Sequence, residues 1–210
     1  MSLALFDLDN TLLAGDSDHS WGEFLVEHKL VDADLYRQRN DEFYHAYQQG
    51  QLDILAYLEF AVEPLTRFSP AKLSELHDTF MAEKIEPLRL PKAEALIEKH
   101  RSAGDQLAII TATNRFITEP IASLFGIKHL MATELEKNNQ GYTGKIIDEP
   151  CYQHGKLTHL EKWLSQQPFD LSDSYFYSDS FNDLPLLSKV THPIAVDPDP
   201  KLEAHAKQNG

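Results

Sequence analysis

Two short apolar runs, Leu3-Ala4-Leu5-Phe6 and Leu107-Ala108-Ile109-Ile110, each stop abruptly at polar residues: Asp7-Leu8-Asp9-Asn10 and Thr111-Ala112-Thr113-Asn114. Apolar runs this short, without polar alternation, read as strands buried on both faces, and such strands need helices on both sides of their sheet. Ser174 to Tyr177, ending at Ser178-Asp179, and Thr191 to Val196, ending at Asp197-Pro198, repeat the pattern, with Lys128 to Thr133 a weaker instance. Helical stretches lie between them: Pro91 to Ala103, closed by Gly104; Arg115 to Phe125, closed by Gly126; Gly155 to Ser165; and Phe181 to Lys189. This alternation predicts an α/β fold with a Rossmann-like, mostly parallel sheet. Ligands bind such sheets beyond the carboxyl ends of the strands, where these polar tails sit.

Residues 17–86 break the alternation. They hold no strand-like run and read as helices through Trp21 and His28, Tyr36 to Tyr47, Ile54 to Val62 and Leu73 to Phe80. The expected organisation is an α/β core of residues 1–16 and 87–210 with a helical cap of residues 17–86 inserted just after the first polar loop. Glu134 to Gly144, turning at Asn138-Asn139-Gln140-Gly141, reads as a hairpin.

A formal charge of −14 disfavours nucleic acid and anionic membrane surfaces, which need basic stripes that this chain lacks. No apolar run approaches the ~20 residues of a membrane span. Cys151, the single cysteine, has no internal disulfide partner, and the N-terminus lacks the pattern of a secretory signal, so a cytoplasmic location is expected.

Asp7 and Asp9 stand two apart, so an extended chain points both carboxylates to one side just past a strand end. Paired acids suit phosphoryl transfer, because one attacks phosphorus while the other protonates the leaving oxygen and then activates water. An Asp-rich turn that merely ends a strand gives the same pair, and Asp-x-Asp recurs at Asp16-Ser17-Asp18 and Asp197-Pro198-Asp199. A second acidic pair, Asp179 and Asp183, also follows a strand, where helix capping is the competing explanation. Four carboxylates against one lysine repel a phosphate dianion by about 4 kcal/mol per unit pair at ~4 Å and an effective dielectric of ~20. Mg²⁺ bound by these hard oxygens offsets that repulsion, so it is the expected cofactor.

Asp7-Leu8-Asp9-Asn10-Thr11-Leu12 resembles the first motif of the haloacid dehalogenase superfamily of phosphatases, and three further motifs follow in order. Thr111 is similar to the second, whose hydroxyl holds a phosphoryl oxygen. Lys156, in His154-Gly155-Lys156, resembles the third, whose ammonium neutralises nucleophile and phosphoryl group. Asp179 and Asp183 resemble the fourth, which holds Mg²⁺. The resemblance implies that Asp7 is the nucleophile and Asp9 the acid and base. Asp7 would also give the metal a carboxylate and Asp9 a main-chain carbonyl. Asn10, through its N–H, and Ala112 would bind the phosphoryl group.

The insertion point is similar to that of the helical-cap subfamily, which includes phosphoserine phosphatase and some histidinol-phosphatases. The expected partner is a small phosphorylated metabolite with an amine at its far end, paired by Asp16 or Asp18 if these do not simply cap the helix that follows. Histidinol phosphate ranks ahead of phosphoserine, because phosphoserine phosphatases commonly carry Ser-Gly-Gly where this chain has Thr111-Ala112-Thr113. A phosphotransferase or mutase, and a receiver-like signalling module, remain the alternatives.

Overall fold

In a computed structural model, which describes residues 2–209, six strands form one sheet in the order β4-β3-β2-β1-β5-β6. The central strand β1 (Leu3–Phe6) pairs in parallel with β2 (Gln106–Asn114) on one side and β5 (Ser174–Ser178) on the other. Beyond them lie β3 (His129–Asn138) and β6 (His192–Ala195), also parallel, while β4 (Gly141–Ile147) returns antiparallel from the turn after β3. Winding runs outward in both directions from β1, so Asp7 emerges at the point where strand order reverses.

The side chains of β1 alternate between two apolar layers. Ala4 and Phe6 join α5 (Pro91–Ser102) and α6 (Arg115–Leu124) through Ile97 and Ile121. Leu3 and Leu5 face α7 (His154–Leu164), α8 (Leu184–Leu187) and α9 (Pro200–Asn209) through Leu160, Leu186 and Leu202. Burial on both faces explains the unbroken apolar runs.

Between β1 and α5 come α1 (Ser17–Glu27), α2 (Ala33–Gln48), α3 (Ile54–Val62) and α4 (Pro70–Phe80). Trp21, Phe24 and Phe80 are buried in the same apolar cluster as Phe6, so this helical segment shares its packing with one face of the sheet. Its two connections run side by side, with the Ala14 N–H donating to the Leu88 carbonyl at 2.8 Å and Leu13 bridged to Arg89.

Several boundaries differ from the sequence reading. β2 runs on to Asn114, because Thr111 to Thr113 stay extended past the end of β1. The stretch read as one helix from Phe181 to Lys189 is a 3-10 turn, Phe181–Asp183, followed by the short α8, with Pro185 at its start. The weak strand and the hairpin arm after it form the single strand β3. α9 has no counterpart in the sequence reading, since among its residues only Leu202 is buried. No helix among the described residues is long and apolar enough to cross a membrane.

Candidate active site

The residues after β1 fold into a tight turn whose Leu8 carbonyl accepts the N–H groups of Thr11, Leu12 and Leu13. Leu8 is driven fully into the core, which leaves Asp7 and Asp9 to line one cavity. Asp7 is 3% exposed and Lys156 2%. The Lys156 ammonium donates to Asp7 Oδ1 at 2.8 Å and to Asp183 Oδ2 at 2.7 Å, binding a strand-end carboxylate of β1 to the turn after β5. Ser178 Oγ donates to the same Asp183 oxygen at 2.7 Å. Two buried carboxylates hold the Lys156 ammonium firmly protonated, despite a burial that opposes its charge. Burial raises the Asp7 carboxyl to about 7, against the opposing pull of Lys156.

Lys156 reaches this position because α7 begins at an unusual turn. Gln153 has φ 49°, and Gly155 lies so close to Pro150 that a Cβ there would stand 2.0 Å from the Pro150 carbonyl oxygen. Only glycine fits, and the residue after it is the buried lysine.

Asp9 is held by two donors, the Ser17 N–H at 2.7 Å on Oδ1 and the Thr113 hydroxyl at 2.8 Å on Oδ2. Burial, with Asp16 nearby, raises its carboxyl to about 7. Thr111 is 1% exposed and its hydroxyl oxygen accepts the Thr113 N–H, which leaves its own O–H to donate toward the cavity. Ala112 lines the same cavity, and its carbonyl accepts from Thr133 Oγ1.

Asp179 stands across from Asp7 on the β5 side. Its N–H donates to Thr11 Oγ1 at 3.1 Å, and burial beside Asp7 and Asp183 raises its carboxyl to about 9. Asp7, Asp179 and Asp183 thus lie on neighbouring strand ends, and among the described residues no three acids form a ready-made metal cage. Asn10 adopts φ 55° and its N–H donates to the Gly15 carbonyl at 3.0 Å, so in this conformation it shapes the loop. Asp16 caps α1, accepting the N–H groups of Asp18 and His19, while one edge of it lines the cavity. Asp18 is 8% exposed, faces the Tyr57 hydroxyl as acceptor and is raised by burial to about 7. Tyr44 lines the cavity, whereas Trp21 and Phe24 are core.

Three further residues at this site, Ser17, Thr113 and Tyr47, went unread in the sequence. Thr113 had a signal, since it lies two residues after Thr111 in an extended strand and so points the same way. Ser17 and Tyr47 depend on how the helical segment folds back. That segment covers the carboxylates closely: the cavity measures about 40 Å³, against ~300–1,000 Å³ for typical ligand sites.

Buried acids and a lysine at the switch point of a doubly wound sheet, with strand-end hydroxyls beside them, define a hydrolase built for phosphate esters. The chain belongs to the haloacid dehalogenase-like hydrolase family, whose sequence profile matches residues 4–188. It is 46% identical to a histidinol-phosphatase of Neisseria meningitidis serogroup C (strain 8013), over all of this chain and 96% of that protein. It is 30% identical to the phosphoserine phosphatase SerB1 of Mycobacterium tuberculosis (strain ATCC 25618 / H37Rv), over 99% of this chain and 68% of the relative. A crystal structure of a protein of unknown function from Bordetella pertussis Tohama I matches with a TM-score of 0.93 and 42% identity, over 100% of this chain and 96% of that one. The chain is a phosphatase.

Proposed function

We propose that the chain hydrolyses histidinol phosphate, through a phosphoryl group carried on Asp7, with residues 17–86 as a cap over the site. The observation that carries the mechanism is the Lys156 ammonium, 2.8 Å from Asp7 and 2.7 Å from Asp183, at the base of the cavity that Asp7 and Asp9 line. An Asp7 carboxylate oxygen attacks phosphorus and the ester P–O bond breaks. The leaving oxygen takes the proton of Asp9, which Ser17 and Thr113 hold over the same cavity. Asp9, now a carboxylate, takes a proton from water as that water attacks phosphorus. The P–O bond to Asp7 breaks, inorganic phosphate leaves and Asp9 is protonated again. Lys156 and Thr111 balance the charge that collects on the phosphoryl oxygens.

The donor set suits magnesium, since the carboxylates of Asp7, Asp179 and Asp183 and the Asp9 carbonyl are hard oxygens without nitrogen or sulfur ligands. When bound there, the ion supplies positive charge to an otherwise acidic centre. The substrate reading rests on Asp16 and Asp18, which put negative charge in the cavity wall away from the nucleophile, where an ammonium group pairs with it. The 46% identical histidinol-phosphatase supports the same choice.

The test is kcat/KM with Mg²⁺ for histidinol phosphate, phosphoserine, phosphoethanolamine, a sugar phosphate and a nucleotide. Histidinol phosphate should lead by tenfold or more. A lead for the sugar phosphate or nucleotide overturns the amine reading and leaves the phosphatase standing.

A further inference from the structure

The cavity holding Asp7, Asp9 and Thr111 is separated from a second one, holding Asn10 and Asp179, by two cap residues that line both, Tyr44 and Tyr47. Tyr47 lies in the last turn of α2 and reaches the acids from the side opposite the sheet. Its main chain is fastened to the core. The Tyr47 carbonyl accepts from Asn182 Nδ2 at 3.3 Å, and Asn182 Oδ1 accepts from Gln153 Nε2 at 3.1 Å. Lys201 Nζ donates to the Gln49 carbonyl, two residues on, at 2.9 Å. Asn182 precedes Asp183, and Gln153 opens the turn that leads to Lys156. The end of α2 is thus docked on the two segments that carry the buried ion pair.

The three tyrosines that line this cavity differ in their hydroxyls, and that of Tyr44 meets the Gln48 side chain. That of Tyr57 faces Asp18, toward the far end of the cavity. That of Tyr47 has no hydrogen-bond partner among the described residues, and the residue lines both the cavity that holds Asp7 and the one that holds Asp179. A phenol is a neutral O–H donor at working pH. A donor left free beside a nucleophile, on the face the sheet does not supply, suits an oxygen that arrives with the substrate.

We propose that the Tyr47 hydroxyl donates a hydrogen bond to a phosphoryl oxygen of the bound ester, so that docking of the cap completes the phosphate-binding site. The inference rests on the phosphomonoesterase reading and gives that site a ligand from the cap. Lys156 and Thr111 bind the phosphoryl group from the core, and Tyr47 binds it from across the cavity. Hydrogen bonds to charged oxygens are about twice as strong as neutral ones, so loss of this one weakens phosphate binding by about 10- to 100-fold.

Tyr47→Phe removes the hydroxyl and keeps the ring. Calorimetric titration of wild type and variant with inorganic phosphate in excess Mg²⁺ reads binding without turnover. The Kd should rise about 10- to 100-fold while the melting temperature and the Mg²⁺ concentration for half-activation stay as in wild type. The kcat/KM for p-nitrophenyl phosphate, which has no amine, should fall by a similar factor. A phosphate Kd within twofold of wild type overturns the inference. So does a loss confined to histidinol phosphate, which would put the hydroxyl at the amine end. If the wild-type protein binds phosphate yet hydrolyses no ester, the proposed function fails while the titration still decides the role of Tyr47.

Discussion

Replacing Lys156 by methionine should destabilise the protein most at alkaline pH and least at acid pH. The lysine is 2% exposed and touches two carboxylates that are equally hidden, at 2.8 and 2.7 Å. Each contact is worth about 6 kcal/mol of gross attraction at an effective dielectric of ~20, most of it offset by the desolvation of three charges. Removing one partner of such a buried set and stranding the others costs ~3–5 kcal/mol. At ~2–4 °C per kcal/mol for a chain of this size, the melting temperature falls by roughly 6–20 °C at pH 8. Stranded Asp7, which burial already raises to about 7, then has a folded-state pKa above its unfolded one. Stability is therefore present below the unfolded value near 4 and is lost as pH rises through the folded value, so the deficit shrinks toward pH 5. Adding Asp183→Asn should recover part of it at pH 8. Circular dichroism melts in EDTA from pH 5 to pH 8 provide the assay. A variant that melts within 2 °C of wild type at pH 8, or whose deficit grows on acidification, refutes the reasoning.

Thr113→Val should lower kcat about tenfold with little change in KM, because Asp9 keeps its carboxyl but loses the hydroxyl at 2.8 Å that aims it; an unchanged kcat removes Thr113 from the mechanism. Asp18→Asn should stabilise the protein at pH 8 and weaken binding of amine-bearing substrates. Burial raises the Asp18 carboxyl to about 7, so wild-type stability drains away as pH rises from about 4 through 7, and a flat difference between variant and wild type over that range contradicts this. Gly155→Ala should fold poorly or melt far below wild type, since its Cβ would meet the Pro150 oxygen at 2.0 Å; a wild-type melting temperature and rate would show that the turn before Lys156 tolerates a side chain.

The sheet was legible because its central strands β1 and β2 are buried on both faces, so Leu3 to Phe6 and Leu107 to Ile110 appear as unbroken apolar runs with polar ends. α9 was not, because Leu202 alone among its residues is buried and a single apolar residue has no period. Asp7, Asp9, Lys156 and Asp183 were readable as a set, each lying just past a strand or at a helix start, and Thr111 was readable as the polar end of an apolar run although β2 carries it. What the sequence does not carry is their depth. That Lys156 is sealed between two acids follows from the Gly155 approach to Pro150, a contact made by the folded turn. Ser17 and Tyr47 act on residues far from them in space until α1 and α2 fold back over β1. Asp16 shows the limit of residue type as a guide, since the same carboxylate caps α1 and lines the cavity.

The central claim is that Asp7 carries the phosphoryl group, and acid quenching of the enzyme during turnover, followed by borohydride reduction and peptide mass spectrometry, tests it most directly. Reduction of an acyl phosphate converts an aspartyl side chain to that of homoserine. The account predicts homoserine at position 7, dependent on substrate and absent from Asp7→Asn. Steady product release with position 7 unmodified, or with the modification on another residue, would contradict it.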